Sequence, residues 1–294
     1  MSNNSLRWQL ARHPVASFFV LAYAISWVAW LGPILELPEP FGTLGFVVGG
    51  FGPLLAALVV TWLGSDSIRA WAHQIVDWRV APRWYLAALA VPLLVVALTS
   101  VGLTVVGTTV DPSLLPGRVS LVLVSFVSIA LIGGGNEEPG WRGLALPKLQ
   151  ERYAPAPATL ILGVVWALWH LPLLAAGPTD FHGLASFVAL APTTAVRILN
   201  IVGVAFVLTW IYNATGSVLL AIIAHTGFNT ANSTLVPLPL EVISAGDSTT
   251  ILVVTTVVLW VVVALLLVGT RGRLGYDSAT TGFARAERGR PETQ

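Results

Sequence analysis

The sequence predicts an all-α, polytopic integral membrane helical bundle of about eight transmembrane helices, and three observations carry that expectation. Of 294 residues, 55% are hydrophobic and only 10% are charged, where soluble domains carry about a quarter charged. Mean hydropathy over the chain is +0.80. Charge-poor runs near the roughly 20 residues that cross a bilayer core as helix recur along its whole length. The same composition excludes other classes. A net charge of +1 provides no basic stripe for nucleic acid. The absence of cysteine removes disulfides, thiolate metal sites, a cysteine nucleophile and a prenylation box of the chain's own.

Eight segments meet the length criterion. The first, 15–35, follows Arg7 and Arg12 and stays uncharged to Leu35, too long for the core of a cleaved signal, so it reads as an uncleaved anchor. Segments 42–63 and 84–109 are uninterrupted by charge, as is 119–136, which runs into a triple glycine. Segment 158–176 carries His170, and 194–212 carries Arg197. Segment 217–236 holds His225 and Asn229, and 250–269 is again free of charge. No internal repeat of the kind that builds many transporters is visible.

Basic residues near the span ends set the orientation. With a cytoplasmic N-terminus, the inner side collects Arg7, Arg12, Arg69, Arg79, Arg83, Arg142, Lys148, Arg152, Arg271, Arg273, Arg285, Arg288 and Arg290, leaving only Arg118 and Arg197 outside. Both termini are therefore expected inside. Segments 67–80 and 141–153 mix apolar and charged residues and read as helices lying on the inner surface, the first with Ile68, Trp71, Ala72 and Ile75 on one face. The chain thus divides into one membrane domain over 1–270 and a polar cytoplasmic tail over 271–294, expected to be disordered.

Ionisable groups inside spans are costly and mark function by default. They occur here in three places: Gly133-Gly134-Gly135-Asn136-Glu137-Glu138-Pro139-Gly140-Trp141-Arg142, Trp166-Ala167-Leu168-Trp169-His170, and His225-Thr226-Gly227-Phe228-Asn229. Glu138 and Arg142 are four apart and share a helix face, so the arginine neutralises the second glutamate. Glu137 lies about 140° round from Arg142 and is left for chemistry. His225 and Asn229 also share a face. At about 1.5 Å per residue, His225 lies roughly 12 Å and His170 roughly 18 Å from the inner ends of their spans, while Glu137 is only a few Å in. Tilt, or dipping of 141–153, is needed to bring them together.

Together these motifs resemble the CPBP family of intramembrane proteases, also described as type II CAAX prenyl endopeptidase-like or Abi proteins. The resemblance rests on Glu137, Glu138 and Arg142, on Trp166 with His170, and on His225 with Asn229, over roughly 130–232. The family more often has Phe where Trp166 stands, a departure read as carrying little mechanistic weight.

The resemblance implies hydrolysis of a peptide bond in a membrane-embedded or membrane-associated protein or peptide. Domain 1–270 is then a single transmembrane protease domain, expected in a bacterial plasma membrane with its active site opening toward the cytoplasm. Glu137 is the expected general base, His170 binds or polarises water, and His225 and Asn229 stabilise the oxyanion. Glu138 and Arg142 support the site. No cofactor is the favoured expectation, with a zinc set of Glu137, His170 and His225 as its alternative. Two other readings compete: a proton-coupled transporter, and a catalytically silent membrane scaffold or immunity protein.

Overall fold

The computed structural model describes residues 12–64, 66–175, 184–244 and 249–277. The described residues form helices joined by short turns, with no strand among them. Ten helices frame the molecule: α1 (Pro14–Ile34), α2 (Phe41–Gly50), α3 (Gly52–Leu63), α4 (Ile68–Val76), α5 (Pro82–Val105), α6 (Val119–Ile132), α7 (Pro155–Trp169), α8 (Leu184–Thr215), α9 (Val218–Thr234) and α10 (Thr249–Gly269). Prolines stand in the first turns of α1, α3, α5 and α7, where the missing N–H would lack a helical partner anyway.

Among the described residues, five helical stretches are long and apolar enough to cross a membrane: Pro14–Ile34, Pro82–Val105, Pro112–Gln150, Pro192–Thr215 and Thr249–Gly269. A sixth is counted if α2 and α3, bent by 50° at Phe51, form one span. The expected segments 158–176 and 217–236 correspond to α7 and α9, whose 15 and 17 residues fall short of the roughly 20 of a full crossing. α7 stops before His170, and the chain resumes as the short helix Leu171–Ala175.

The helices pack as a bundle in which α9 is central. It lies against α5, α6 and α8, while α8 also contacts α7 and α10, and α1 contacts α2 and α3. A core of rings ties the two sides together: Trp30 meets Trp169 at 4.6 Å between centroids, and Trp141 meets Phe18 at 5.1 Å and Trp169 at 5.9 Å.

Two expectations for surface helices change. The first half of segment 141–153 is interior: Trp141, Arg142, Leu144, Ala145 and Leu146 are fully buried, with the Arg142 guanidinium paired to Glu138, while Lys148 pairs with Asp66, and Glu151, Arg152 and Tyr153 are exposed. The helix within 67–80 is α4, and its buried face carries Trp71 and Gln74 while Ala72 is exposed. Gln74 enters the interior because its amide is satisfied on both sides, donating to the Gly143 carbonyl (2.8 Å) and accepting from the Tyr212 hydroxyl (2.9 Å).

Arg118 is buried as well. Its guanidinium donates to the carbonyls of Thr234 and Val236 at 2.9 Å and to that of Leu238, closing the C-terminal end of α9. At the end of the chain, residues 271–277 form turns in which Leu274 is fully buried. The remainder of the expected tail, 278–294, lies outside the described residues, as do Arg7 and residues 176–183 of the loop before α8.

Candidate active site

The site begins where α6 breaks. After Ile132 the chain passes through a 3-10 turn at Gly135–Glu137, one helical turn at Glu138–Gly140 and a π-helical turn at Trp141–Ala145. Gly134 has φ +137°, open to glycine and strained for any other residue. Pro139 removes a ladder donor. Gly140 lets the turn approach α3 so closely that a Cβ there would stand 2.5 Å from the Pro53 carbonyl oxygen.

Glu138, carried by this turn, is fully buried and meets two partners. Arg142 Nη1 donates to its Oε1 at 3.0 Å across the i,i+4 spacing, and His225 Nδ1 reaches the same oxygen at 2.7 Å from α9. The Arg142 guanidinium also lies over the Trp166 ring, 4.6 Å from its centroid. One carboxylate therefore gathers a guanidinium from its own turn and an imidazole 87 residues away.

Glu137, next in the chain, is placed quite differently. Its Oε2 accepts the indole N–H of Trp166 at 2.7 Å, and the residue lines a cavity of about 240 Å³. His170 follows α7 with its Nδ1 2.9 Å from the Trp166 carbonyl. A carbonyl only accepts, so Nδ1 carries the proton and Nε2 is left for the cavity that His170 also lines.

His225 and Asn229, one turn apart on α9, line the same cavity. Asn229 spends one amide N–H on the Gly133 carbonyl at 3.2 Å. Both face the Gly134 backbone: a Cβ there would stand 2.9 Å from Asn229 Nδ2 and 3.0 Å from His225 Nε2. The break in α6 thus brings all four candidate catalytic residues, Glu137, His170, His225 and Asn229, to one space despite their different depths along the chain.

Three features escape a reading of the sequence alone. Trp166 is more than an apolar ring, since its N–H binds Glu137 and its edge or face meets Arg142, His170 and His225. The preference for Phe at this place hid a donor that Phe lacks. Asn200 and Asn232 also line the cavity. Both are polar residues in apolar spans, a signal open to reading once neutral amides are weighed beside ionisable groups. Trp71 and Gln74 complete the set by anchoring the broken turn, donating to the Pro139 and Gly143 carbonyls at 3.0 and 2.8 Å.

In the alternative zinc set of Glu137, His170 and His225, one atom of each side chain is already hydrogen-bonded. His225 Nδ1 is turned to Glu138, His170 Nδ1 to a carbonyl and Glu137 Oε2 to an indole. Among the described residues no three His, Cys, Asp or Glu side chains converge closely enough to hold a metal ion.

Residues 119–231, from the start of α6 nearly to the end of α9, match the family described as type II CAAX prenyl endopeptidase Rce1-like. A protein named CAAX prenyl protease 2, from the archaeon Methanococcus maripaludis, is 30% identical over 112 residues. The match takes in 35% of this chain and spans 37% of that relative's length. Every site residue named above except those of α4 and Asn232 lies inside the matched stretch. Over this stretch the chain is similar to the type II CAAX prenyl endopeptidase family, the CPBP group that the three motifs resemble.

Gly134→Ala should show how tightly the site is assembled. The added Cβ meets Asn229 and His225 in a backbone conformation strained for alanine, a cost of about 1–3 kcal/mol before any steric displacement. The variant should melt at lower temperature in detergent than the parent protein. Equal melting curves would mean that the turn is not held against α9.

Proposed function

We propose that this chain is a CAAX-protease-like intramembrane endopeptidase that hydrolyses a peptide bond of a membrane-embedded or membrane-associated protein, with Glu137 as general base. The observation that carries the proposal is the convergence of Glu137, His170, His225 and Asn229 on one cavity. Apolar walls such as Phe46, Ile132 and Phe228 suit an apolar segment, and Glu137, His170, His225 and Asn229 supply the reacting groups.

The chemistry follows from the atoms left unspent. Glu137 Oε1 takes a proton from water, which His170 Nε2 holds by accepting its other hydrogen. The water oxygen attacks the scissile carbonyl carbon, and the negative charge moves onto the carbonyl oxygen. The second amide N–H of Asn229 and the Nε2–H of His225 stabilise that oxyanion. Glu138 serves this step as counter-ion, because His225 donates from both nitrogens only as an imidazolium. Collapse of the intermediate breaks the C–N bond, and the proton on Glu137 passes to the leaving amine. Arg142 donates to the same Glu138 oxygen and holds the carboxylate in place. The scheme is that of a metal-free glutamate protease.

The proposal extends to topology: eight spans, both termini cytoplasmic, a site opening toward the cytoplasm and a bacterial plasma membrane around it. The partition of basic residues, 13 inside against Arg118 and Arg197 outside, supports that arrangement. The protease domain is 1–270 and the tail 271–294. Reporter fusions at the 177–193 loop and in the tail check it. An external loop and a cytoplasmic tail are expected, and a cytoplasmic loop or an external tail would reverse it.

The activity is tested by incubating purified protein with membrane-anchored peptides. Glu137→Gln should abolish cleavage with a near-normal melting curve, since shape and polarity remain while the base is gone. Asn229→Ala should lower turnover about 10²–10³-fold with substrate binding largely kept. Chelation with dialysis should leave the wild-type rate intact. Recovery of a chelated enzyme by zinc, with stoichiometric metal lost in His170→Ala and His225→Ala, would overturn the metal-free scheme. Full activity of Glu137→Gln would remove Glu137 from its role.

A further inference from the structure

Two glutamates stand side by side in this site, and Trp166 touches the surroundings of both. Its ring is 2% exposed and lies between the α6 break and α9. The indole N–H is spent on Glu137 Oε2 at 2.7 Å, one face lies under the Arg142 guanidinium at 4.6 Å, and the ring meets His225 at 5.1 Å in an edge-on arrangement. Its backbone carbonyl takes the Nδ1–H of His170. Its ring also meets that of His170 at 5.7 Å between centroids.

These contacts act in different directions. An N–H donated to one oxygen of a carboxylate fixes the torsion of the whole group, so the second oxygen has a single place to be. For Glu137, with Oε2 held by the indole, that place is the cavity. Without the donor, the carboxylate is free to rotate toward Arg142, whose Nε and Nη2 have no partner among the described residues. The ring face favours the guanidinium where it is, over the aromatic surface and against Glu138. The N–H thus keeps Glu137 away from the cation, and the face keeps the cation on Glu138.

We infer that Trp166 is a positioning residue that divides the adjacent glutamates between two tasks, holding Glu137 toward the cavity with its indole N–H and Arg142 against Glu138 with its ring face. The inference rests on the proposed protease reading for its catalytic meaning. Phenylalanine at this place keeps the face and lacks the donor, so this chain has a hold on its base that a phenylalanine could not supply.

The two contacts separate in one experiment. Trp166 is replaced in the full-length chain by benzothienylalanine, which substitutes sulfur for the indole N–H and keeps ring size and face. Cleavage of a membrane-anchored peptide should lose about 10–100-fold in kcat, the scale of a hydrogen bond to a charged group. KM and the melting curve should be unchanged. Trp166→Leu, which removes the face as well, should lower the melting temperature besides. An unchanged kcat, or a loss confined to KM, would overturn the inference.

A second readout is independent of activity. In the ¹⁵N-labelled protein in micelles, the indole N–H resonance absent from Trp166→Phe should move upfield in Glu137→Gln, because an amide oxygen accepts more weakly than a carboxylate. A resonance indifferent to Glu137→Gln would show that the bond is absent and overturn the inference even in an active protease. Lack of any cleavage by the wild-type chain would overturn the protease reading, and the resonance alone then decides whether Trp166 holds Glu137.

Discussion

Two neighbouring carboxylates cannot both be buried as unpaired anions in an apolar bundle, and the centre of this protein is organised around that constraint. Isolated burial of an ionised carboxylate is prohibitively costly, and a like charge at the next residue adds to the cost. The chain resolves the conflict by treating the pair unequally. Glu138 receives a guanidinium at 3.0 Å and an imidazole at 2.7 Å on the same oxygen. Glu137 receives one neutral N–H and an edge on the cavity. The asymmetry leaves Glu138 held by two partners and Glu137 open to the cavity.

The unusual backbone follows from the same requirement. A straight helix would point Glu137 and Glu138 about 100° apart on one rod, with no means of bringing both to α7 and α9. Breaking α6 at the glycines and winding 141–145 as a π-turn sets both glutamates inward, but it frees backbone carbonyls in the interior of the bundle. Such groups are tolerated at membrane depth only where protein satisfies them. Here side chains of other elements do so: Trp71 and Gln74 from α4 hold the carbonyls of Pro139 and Gly143, and Asn229 from α9 holds that of Gly133. Helix α4, amphipathic enough to read as a surface element, is in this way a buttress of the site. Arg118 performs the equivalent task at the C-terminal end of α9, with its guanidinium spread over three carbonyls.

What was legible in the sequence was whatever depends on local spacing or on the cost of polarity in lipid. The all-helical class, the pairing of Glu138 with Arg142 and the grouping of three motifs all follow from those two rules. What escaped depends on partners distant in the chain. Segment 141–153 looked like a surface helix because a pattern of charge and apolar residues does not reveal that Glu138 neutralises Arg142 in the interior. Trp166 in place of Phe was read as carrying little mechanistic weight because its N–H acquires meaning only from Glu137, 29 residues earlier. The depths assigned to His170 and Glu137 disagreed because straight spans were assumed, and the break in α6 removes that assumption. Glu138 was read with one partner; the second, His225, comes from tertiary folding alone.

The central claim, that the site stands on a compensated buried charge cluster, is tested most directly by a double-mutant cycle read in stability rather than activity. Glu138→Gln and Arg142→Met each leave a charge buried without its partner, and each should cost about 3–5 kcal/mol in unfolding measurements on the protein in micelles. The double substitution removes both charges together. It should cost well under the sum of the single losses, with a coupling of at least about 1 kcal/mol. Losses that simply add would contradict the claim, since the two residues would then stabilise the fold independently and the broken helix would need another explanation.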